Sequence, residues 1–148
     1  MTRKKALLVD LDGTLADVEH RVHHVQGESK DWKQFNEKMG LDALNTWCRE
    51  IIISFQERGY GVVFLTGRTE DYRGTSEEWL DSHDITYDKL FMRQRGDHRD
   101  DWDIKQGIYL EEIKPDFDIL FVLEDRLNVV KMWRETGLVC LQCDWGDF

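Results

Sequence analysis

The chain has 148 residues, a hydrophobic content of 41% and a formal net charge of −10. That length suggests one domain with a real core, and without an apolar run of about 18 residues no membrane span is expected. So acidic a chain does not hold long nucleic acid on a uniformly basic face, and three cysteines do not make a disulfide framework.

In chain order, the positively charged start at residues 1–5 is followed by an apolar run that Asp10 and Asp12 interrupt, too short for a signal peptide, so a cytoplasmic protein is the expectation. Residues 5–10 read as a buried strand. The stretch 17–40 is polar, with Trp32 and Phe35 as its main apolar residues, and reads as an insertion of one or two short helices. Leu41, Leu44, Trp47, Ile51, Ile52 and Phe55 have helical spacing over 41–58, and Gly59 is the natural stop. Residues 61–66 form a second buried strand, and 71–82 a helix. A short strand is expected at 89–92 and a helix at 102–113, ended by Pro115. Residues 119–124 form another buried strand, 126–136 a helix stopped by Gly137, and 138–142 a last strand. Continuous apolar strands alternating with amphipathic helices predict an α/β fold, a three-layer α/β/α arrangement with a central parallel sheet. In such sheets ligands bind beyond the carboxyl ends of the strands.

The chemistry-bearing residues are expected at that edge. Asp10 and Asp12 end the first strand beside a Gly13–Thr14 turn, Thr66 ends the second, and Glu124 and Asp125 end the 119–124 strand. Two close carboxylates beside a glycine turn suit a hard cation and a phosphate. Asp10 can attack phosphorus to give an aspartyl-phosphate that water then releases. Asp12 can protonate the leaving oxygen and deprotonate that water. A magnesium ion on Asp10, Asp125 and a backbone carbonyl would relieve the repulsion between nucleophile and substrate; the candidate ligands are Asp10, Asp12, Glu124 and Asp125. Thr66, Gly67, Arg68 and Lys105 are candidates for holding the phosphoryl group. Each residue also has an ordinary structural use: Thr66 as a helix cap, Lys105 as a surface lysine. Glu124 with Asp125 is harder to explain that way, because adjacent carboxylates rarely end a buried strand without a partner cation.

Arg68, Arg93, Arg95 and Arg99 could form a local basic patch for phosphates, with Trp102 available to stack on a base; alternatively the arginines pair with nearby carboxylates and Trp102 packs its helix. His20, His23 and His24 have a spacing that could bind a transition metal, but they belong to a polar stretch. The C-x-x-C spacing of Cys140 and Cys143 lacks a second matching pair, and reads as ordinary cysteines at a strand edge.

Asp10–Thr14, Thr66–Arg68, Lys105 and Glu124–Asp125 together resemble the four ordered motifs of the haloacid dehalogenase superfamily of phosphatases. The resemblance implies a Rossmann-like fold, a magnesium requirement, the Asp10/Asp12 mechanism, phosphoryl binding by Thr66 and Lys105, and metal binding by Asp125. Glu124 stands where an aspartate is frequent, which leaves the sharing of metal between 124 and 125 open. The runs Arg95–Asp101, Glu124–Arg134 and Gly146–Phe148 further resemble the phosphatase half of phage-type polynucleotide kinase/3′-phosphatases. This implies removal of 3′-phosphates from nucleic-acid ends. No G-x-x-x-x-G-K-[ST] loop occurs in the chain, so a free-standing phosphatase is expected, paired in function with a separate kinase or ligase. The 56 positions from Asp10 to Thr66 and the 37 from Arg68 to Lys105 leave no room for a large cap, so an open site is expected. The alternatives are a nucleoside monophosphatase with the same chemistry, a phosphotransferase, and a non-catalytic accessory module. Oligomeric state is not legible.

Overall fold

The computed structural model describes residues 2–27 and 29–146. Its elements are β1 (Lys4–Val9), β2 (Ala16–Asp17), α1 (Glu19–Val22), α2 (Trp32–Glu37), β3 (Ala43–Leu44), α3 (Thr46–Glu57), β4 (Gly61–Thr69), α4 (Arg73–Ser82), β5 (Lys89–Arg93), α5 (Asp101–Ile108), β6 (Phe117–Glu124), α6 (Leu127–Thr136) and β7 (Cys140–Gln142). A five-residue π-helical turn, Tyr109–Ile113, extends α5. No helix among the described residues is long and apolar enough to cross a membrane.

Five strands form one sheet in the order β5-β4-β1-β6-β7, and every pairing is parallel. Side chains alternate along β1, which explains its unbroken apolar run. Leu7 and Val9 pack with Cys48 and Ile52 of α3 and Trp79 and Leu80 of α4. Ala6 and Leu8 pack on the opposite face with Tyr109, Ile113 and the α6 residues Val129, Val130 and Trp133. Helices thus cover both faces, the three-layer arrangement expected of such strands. The chain builds outward from β1 to β4 and β5 on one side, then returns to β6 and β7 on the other. Beyond the carboxyl end of β1 lies the point where the winding reverses, where α/β sheets bind ligands.

Three regions differ from expectation. The helix read over 41–58 begins only at Thr46, because Ala43–Leu44 pair antiparallel with Ala16–Asp17 instead. Helical spacing is a local signal, and pairing with a strand about 27 residues earlier overrides it. The stretch 17–40 does hold short helices, but it also has its own small core of Val18, Val22, Val25 and Phe35. Three valines within a polar run were not legible as a core.

The second strand also runs longer than read. Its ladder to β5 shifts register between Thr66 and Thr69, so Gly67 and Arg68 form an irregularity. Such bulges re-aim a side chain, and Arg68 is turned inward and buried.

Candidate active site

Asp10 stands one residue past β1, where its N–H still donates to the Leu123 carbonyl at 3.1 Å and extends the ladder to β6. Glu124 closes β6 and Asp125 follows it. Two neighbouring strands thereby bring Asp10, Glu124 and Asp125 together, all buried, each with a carboxylate oxygen within 4.8 Å of the others'. The Lys105 ammonium on α5 reaches this group: it donates to Asp10 Oδ1 at 2.9 Å and Glu124 Oε2 at 2.9 Å, and lies 3.5 Å from Asp101. Burial pulls the Lys105 pKa down, but Asp10, Asp101 and Glu124 outweigh that and hold it charged. The Thr14 hydroxyl donates to Asp10 Oδ2 at 3.2 Å.

Three carboxylates share this one ammonium. Burial, with Asp10 beside it, pushes the Glu124 carboxyl up from its ordinary range, and burial together with Asp10 and Glu124 pushes Asp125 up further. Asp125 Oδ2 is buried with no hydrogen-bond partner among the described residues. Gly13 has φ of +81°, and a Cβ there would run into the Asp125 carboxylate, so only glycine fits the turn. An all-oxygen, carboxylate-rich donor set with an orphaned oxygen matches what a hard divalent cation such as Mg²⁺ requires.

Asp12 belongs to a different environment. Its Oδ1 accepts from Arg21 Nη2 at 2.5 Å and from Arg68 Nη2 at 2.7 Å. Both arginines also reach Asp42: Arg21 donates through Nε and Nη2 at 2.6 Å each, and Arg68 through Nη2 at 3.3 Å. The remaining donors are engaged as well, Arg21 Nη1 with the Phe35 carbonyl at 3.0 Å and Arg68 Nη1 with Ser76 Oγ at 2.8 Å. Trp79 Nε1 donates to the Asp42 carbonyl, and His20 Nε2 sits 2.7 Å from Asp42 Oδ1. Burial raises the Asp12 pKa, but Arg68 and Arg21 overcome it and hold this carboxyl well below the usual carboxylate range. Asp42 goes the other way, since its burial outweighs what Arg21 and His20 supply.

A cavity of about 840 Å³ opens above both groups, lined by Asp10, Asp12, Gly67, Arg68, Glu124 and Asp125. Lys30, Trp32, Arg93, Arg99, Arg126 and Lys131 line it as well. Thr66 and Lys105 are fully buried and stand outside the lining, with the Thr66 hydroxyl accepting from the Arg68 N–H at 3.2 Å. Gly67 lies where a Cβ would overlap the Asp101 carboxylate. The four arginines of the expected basic patch each have carboxylate partners: Arg68 as described, Arg93 with Asp101, Arg95 with Asp71, Arg99 with Asp97. Trp102 is outside the cavity lining. His23 and His24 stack on each other with ring centroids 3.9 Å apart, and His20 is engaged with Asp42. Cys140 and Cys143 are free thiols that burial pushes up to about 12, away from redox reactivity. Of the Gly146–Phe148 run, Gly146 alone lies within the described residues.

Arg21, Asp42 and Trp32 were not singled out as site residues from sequence. Lone charges in a polar stretch look like solvated surface, and only the fold shows that Arg21 and Asp42 are buried against Asp12.

Strand-end carboxylates, a buried lysine and the doubly wound sheet give the chain a haloacid dehalogenase-like fold. Two solved structures show that fold at low identity: a Class C acid phosphatase from Bacillus anthracis with tungstate bound (TM-score 0.61, 16% identity, 84% of this chain, 53% of that one), and a haloacid dehalogenase-like hydrolase from Streptococcus pneumoniae (TM-score 0.54, 20%, 99% and 88%). Residues 4–148 match the family described as the polynucleotide kinase PNKP phosphatase domain, and the chain belongs to that family. It is similar to chains in two structures of a Pnkp1/Rnl/Hen1 complex, one titled an RNA repair complex. The first has a TM-score of 0.87 and 36% identity over 100% of this chain and 48% of that one. The second has 0.87 and 37% over 99% and 44%. A putative bifunctional polynucleotide kinase/RNA ligase of Autographa californica nuclear polyhedrosis virus is 27% identical over 132 residues, 88% of this chain and 18% of its own length. The chain thus spans under half of each of these three longer relatives.

Proposed function

We propose that this chain is a Mg²⁺-dependent phosphatase that removes terminal 3′-phosphates from polynucleotides through a phosphorylated Asp10. The observation that carries the reading is the separation of Asp10 and Asp12 into two electrostatic environments. Asp10 faces the carboxylate cluster and Lys105, where an attacking oxygen would meet phosphorus. Asp12 is locked by two guanidiniums at the same cavity wall, the position of a group that handles protons.

In the first step a carboxylate oxygen of Asp10 bonds to phosphorus and the bond to the 3′-oxygen breaks. The leaving oxygen takes a proton from Asp12. Because Arg68 and Arg21 keep Asp12 ionised at rest, that proton arrives with the substrate: the second ionisation of a phosphate monoester lies near 6, so a fraction enters as the monoanion. In the second step water attacks the aspartyl-phosphate, Asp12 accepts its proton, and Asp10 is regenerated as inorganic phosphate leaves. Lys105 holds Asp10 in the attacking position, while Thr66 and Gly67 shape the turn facing the phosphoryl oxygens. Asp10, Glu124 and Asp125 would hold Mg²⁺, which when bound offsets the anionic charge and polarises the phosphoryl group.

The polynucleotide substrate is supported by family membership. The names of the relatives, an RNA repair complex and a kinase/RNA ligase, support work beside a ligase at nucleic-acid ends. The test is phosphate release from a 3′-phosphorylated oligonucleotide with Mg²⁺, against a 5′-phosphorylated control. Selective, metal-dependent release is expected. Equal release from both ends, or preference for 3′-mononucleotides by kcat/KM, would move the substrate to a nucleotidase class.

A further inference from the structure

The cavity is far larger than a phosphoryl group needs. At about 840 Å³ it lies in the upper range of small-ligand pockets. Asp10 and Asp12 line it, and Trp32 lines the same cavity. Trp32 opens α2, where the Asp31 side chain accepts from the Gln34 N–H at 3.1 Å and fixes the turn. The indole meets Phe35 edge-to-face, with centroids 5.4 Å apart at 90°. Phe35 is buried, and the Arg21 guanidinium sits 4.2 Å from its centroid. A continuous series of contacts therefore ties Trp32 to Phe35, to Arg21 and to Asp12.

Despite this anchoring, Trp32 remains 41% exposed. Two cations approach its ring at the outer limit of a cation–π contact: Lys30 Nζ at 5.6 Å and Arg126 Cζ at 5.8 Å. Asn128 and Lys131, from the first turns of α6, line the cavity too. A half-exposed indole braced by Phe35 beside cations is the arrangement that takes a nucleobase face and its neighbouring phosphates. An arginine plane can also cover a base directly. The acidity of the chain as a whole makes this local grouping of cations more selective.

We infer that Trp32 is a stacking platform for the unpaired nucleobase at the 3′-phosphorylated end, with Lys30, Arg126 and Lys131 serving the adjoining backbone phosphates. The inference deepens the 3′-phosphatase reading and rests on it. It makes the site one that reads a nucleotide, through its base plane, in addition to a phosphate. Any base has such a plane, so the platform imposes little sequence preference.

The test compares two single-stranded substrates, a 3′-phosphorylated oligonucleotide and the same oligonucleotide ending in a 3′-phosphorylated abasic nucleotide. The wild-type protein is expected to favour the base-bearing end roughly tenfold in kcat/KM, mainly through KM, the scale of one aromatic stack. In Trp32→Ala that ratio should fall to near one, and in Trp32→Tyr it should recover most of the way. Because the readout is a ratio within each variant, a partial loss of folding cancels. Trp32→Ala keeping the wild-type ratio, Trp32→Leu restoring it as well as tyrosine, or a wild type indifferent to the base would each overturn the platform while leaving the phosphatase reading intact. A wild type silent on both 3′-phosphorylated substrates would overturn both.

Discussion

Asp10 and Asp12 are two residues apart, on one loop, and their surroundings could hardly differ more. Around Asp10, a single ammonium meets the carboxylates of Asp10, Glu124 and Asp101, and Asp125 adds a further carboxylate beside them. Around Asp12, two carboxylates meet two guanidiniums, and nearly every donor and acceptor is used. The first group is incomplete by itself, in charge and in hydrogen bonding. The second is complete without any ligand. An incomplete cluster is what a site for a cation and a phosphoryl anion should be, since excess charge and an unfilled oxygen supply the binding energy. A complete one suits a side chain that has to stay in one place while protons come and go.

Breaking the nucleophile should give the largest effect. Asp10→Asn is expected to lower phosphate release at least roughly 10⁴-fold, with the fold retained by circular dichroism. Turnover near wild type would refute Asp10 as the attacking group.

Next comes the balanced group. Arg21→Ala leaves Asp12 and Asp42 short of a buried partner, and should destabilise the chain by about 3–5 kcal/mol in denaturant titration, the cost of breaking a buried ion pair from one side. Arg21→Lys should recover only part, because one ammonium cannot reproduce the forked contacts to two carboxylates and a carbonyl. Wild-type stability in Arg21→Ala would show the lattice to be ornamental.

The acidic cluster and Asp12 should also respond to pH in opposite directions. Glu124 and Asp125 have raised pKa values in the fold. The folded metal-free protein therefore binds more protons than the unfolded chain, and its stability should fall as pH rises from about 4 toward neutrality. Millimolar Mg²⁺ should remove that slope. Asp12, with its lowered pKa, contributes stability that is present above the usual carboxylate range and lost as pH falls through it. Thermal melts from about pH 2 to 8, with and without Mg²⁺, check both signs. A metal-free melting temperature that climbs steadily across the whole range would contradict the reading of the acidic cluster.

The smallest effect belongs to the rim. Arg99 is already committed to Asp97 at 2.8 Å and is largely exposed. Arg99→Ala should raise KM for an oligonucleotide only about two- to threefold, and salt near 0.2 M should erase the difference. A change beyond tenfold would give Arg99 a direct hold on the substrate.

Much of this arrangement was legible in the sequence, and the limits have physical causes. Strands buried on both faces leave long apolar runs, so β1, β4 and β6 and the polar residues at their ends could be read directly. Arg21 and Asp42 could not, because their burial depends on segments that meet only after folding. The inward turn of Arg68 depends on a ladder irregularity that leaves no periodic signal. The β2–β3 pair, two residues on each side, is too short to show a pattern. Trp32 looked like one of two apolar residues in a polar insertion, while Trp102, equally aromatic and nearer the motifs, proved to face elsewhere.

The position of β1 at the centre of the sheet has a further consequence for how the protein comes to life. Its Asp10 acquires a lysine from 95 residues downstream and a carboxylate from 114 residues downstream. Those contacts form only when the second half of the sheet has docked against the first, a closure over long loops that is slow compared with helix formation. A chain in which only β1, β4 and β5 had paired would lack both groups. Refolding followed by phosphate release should therefore lag refolding followed by helix content.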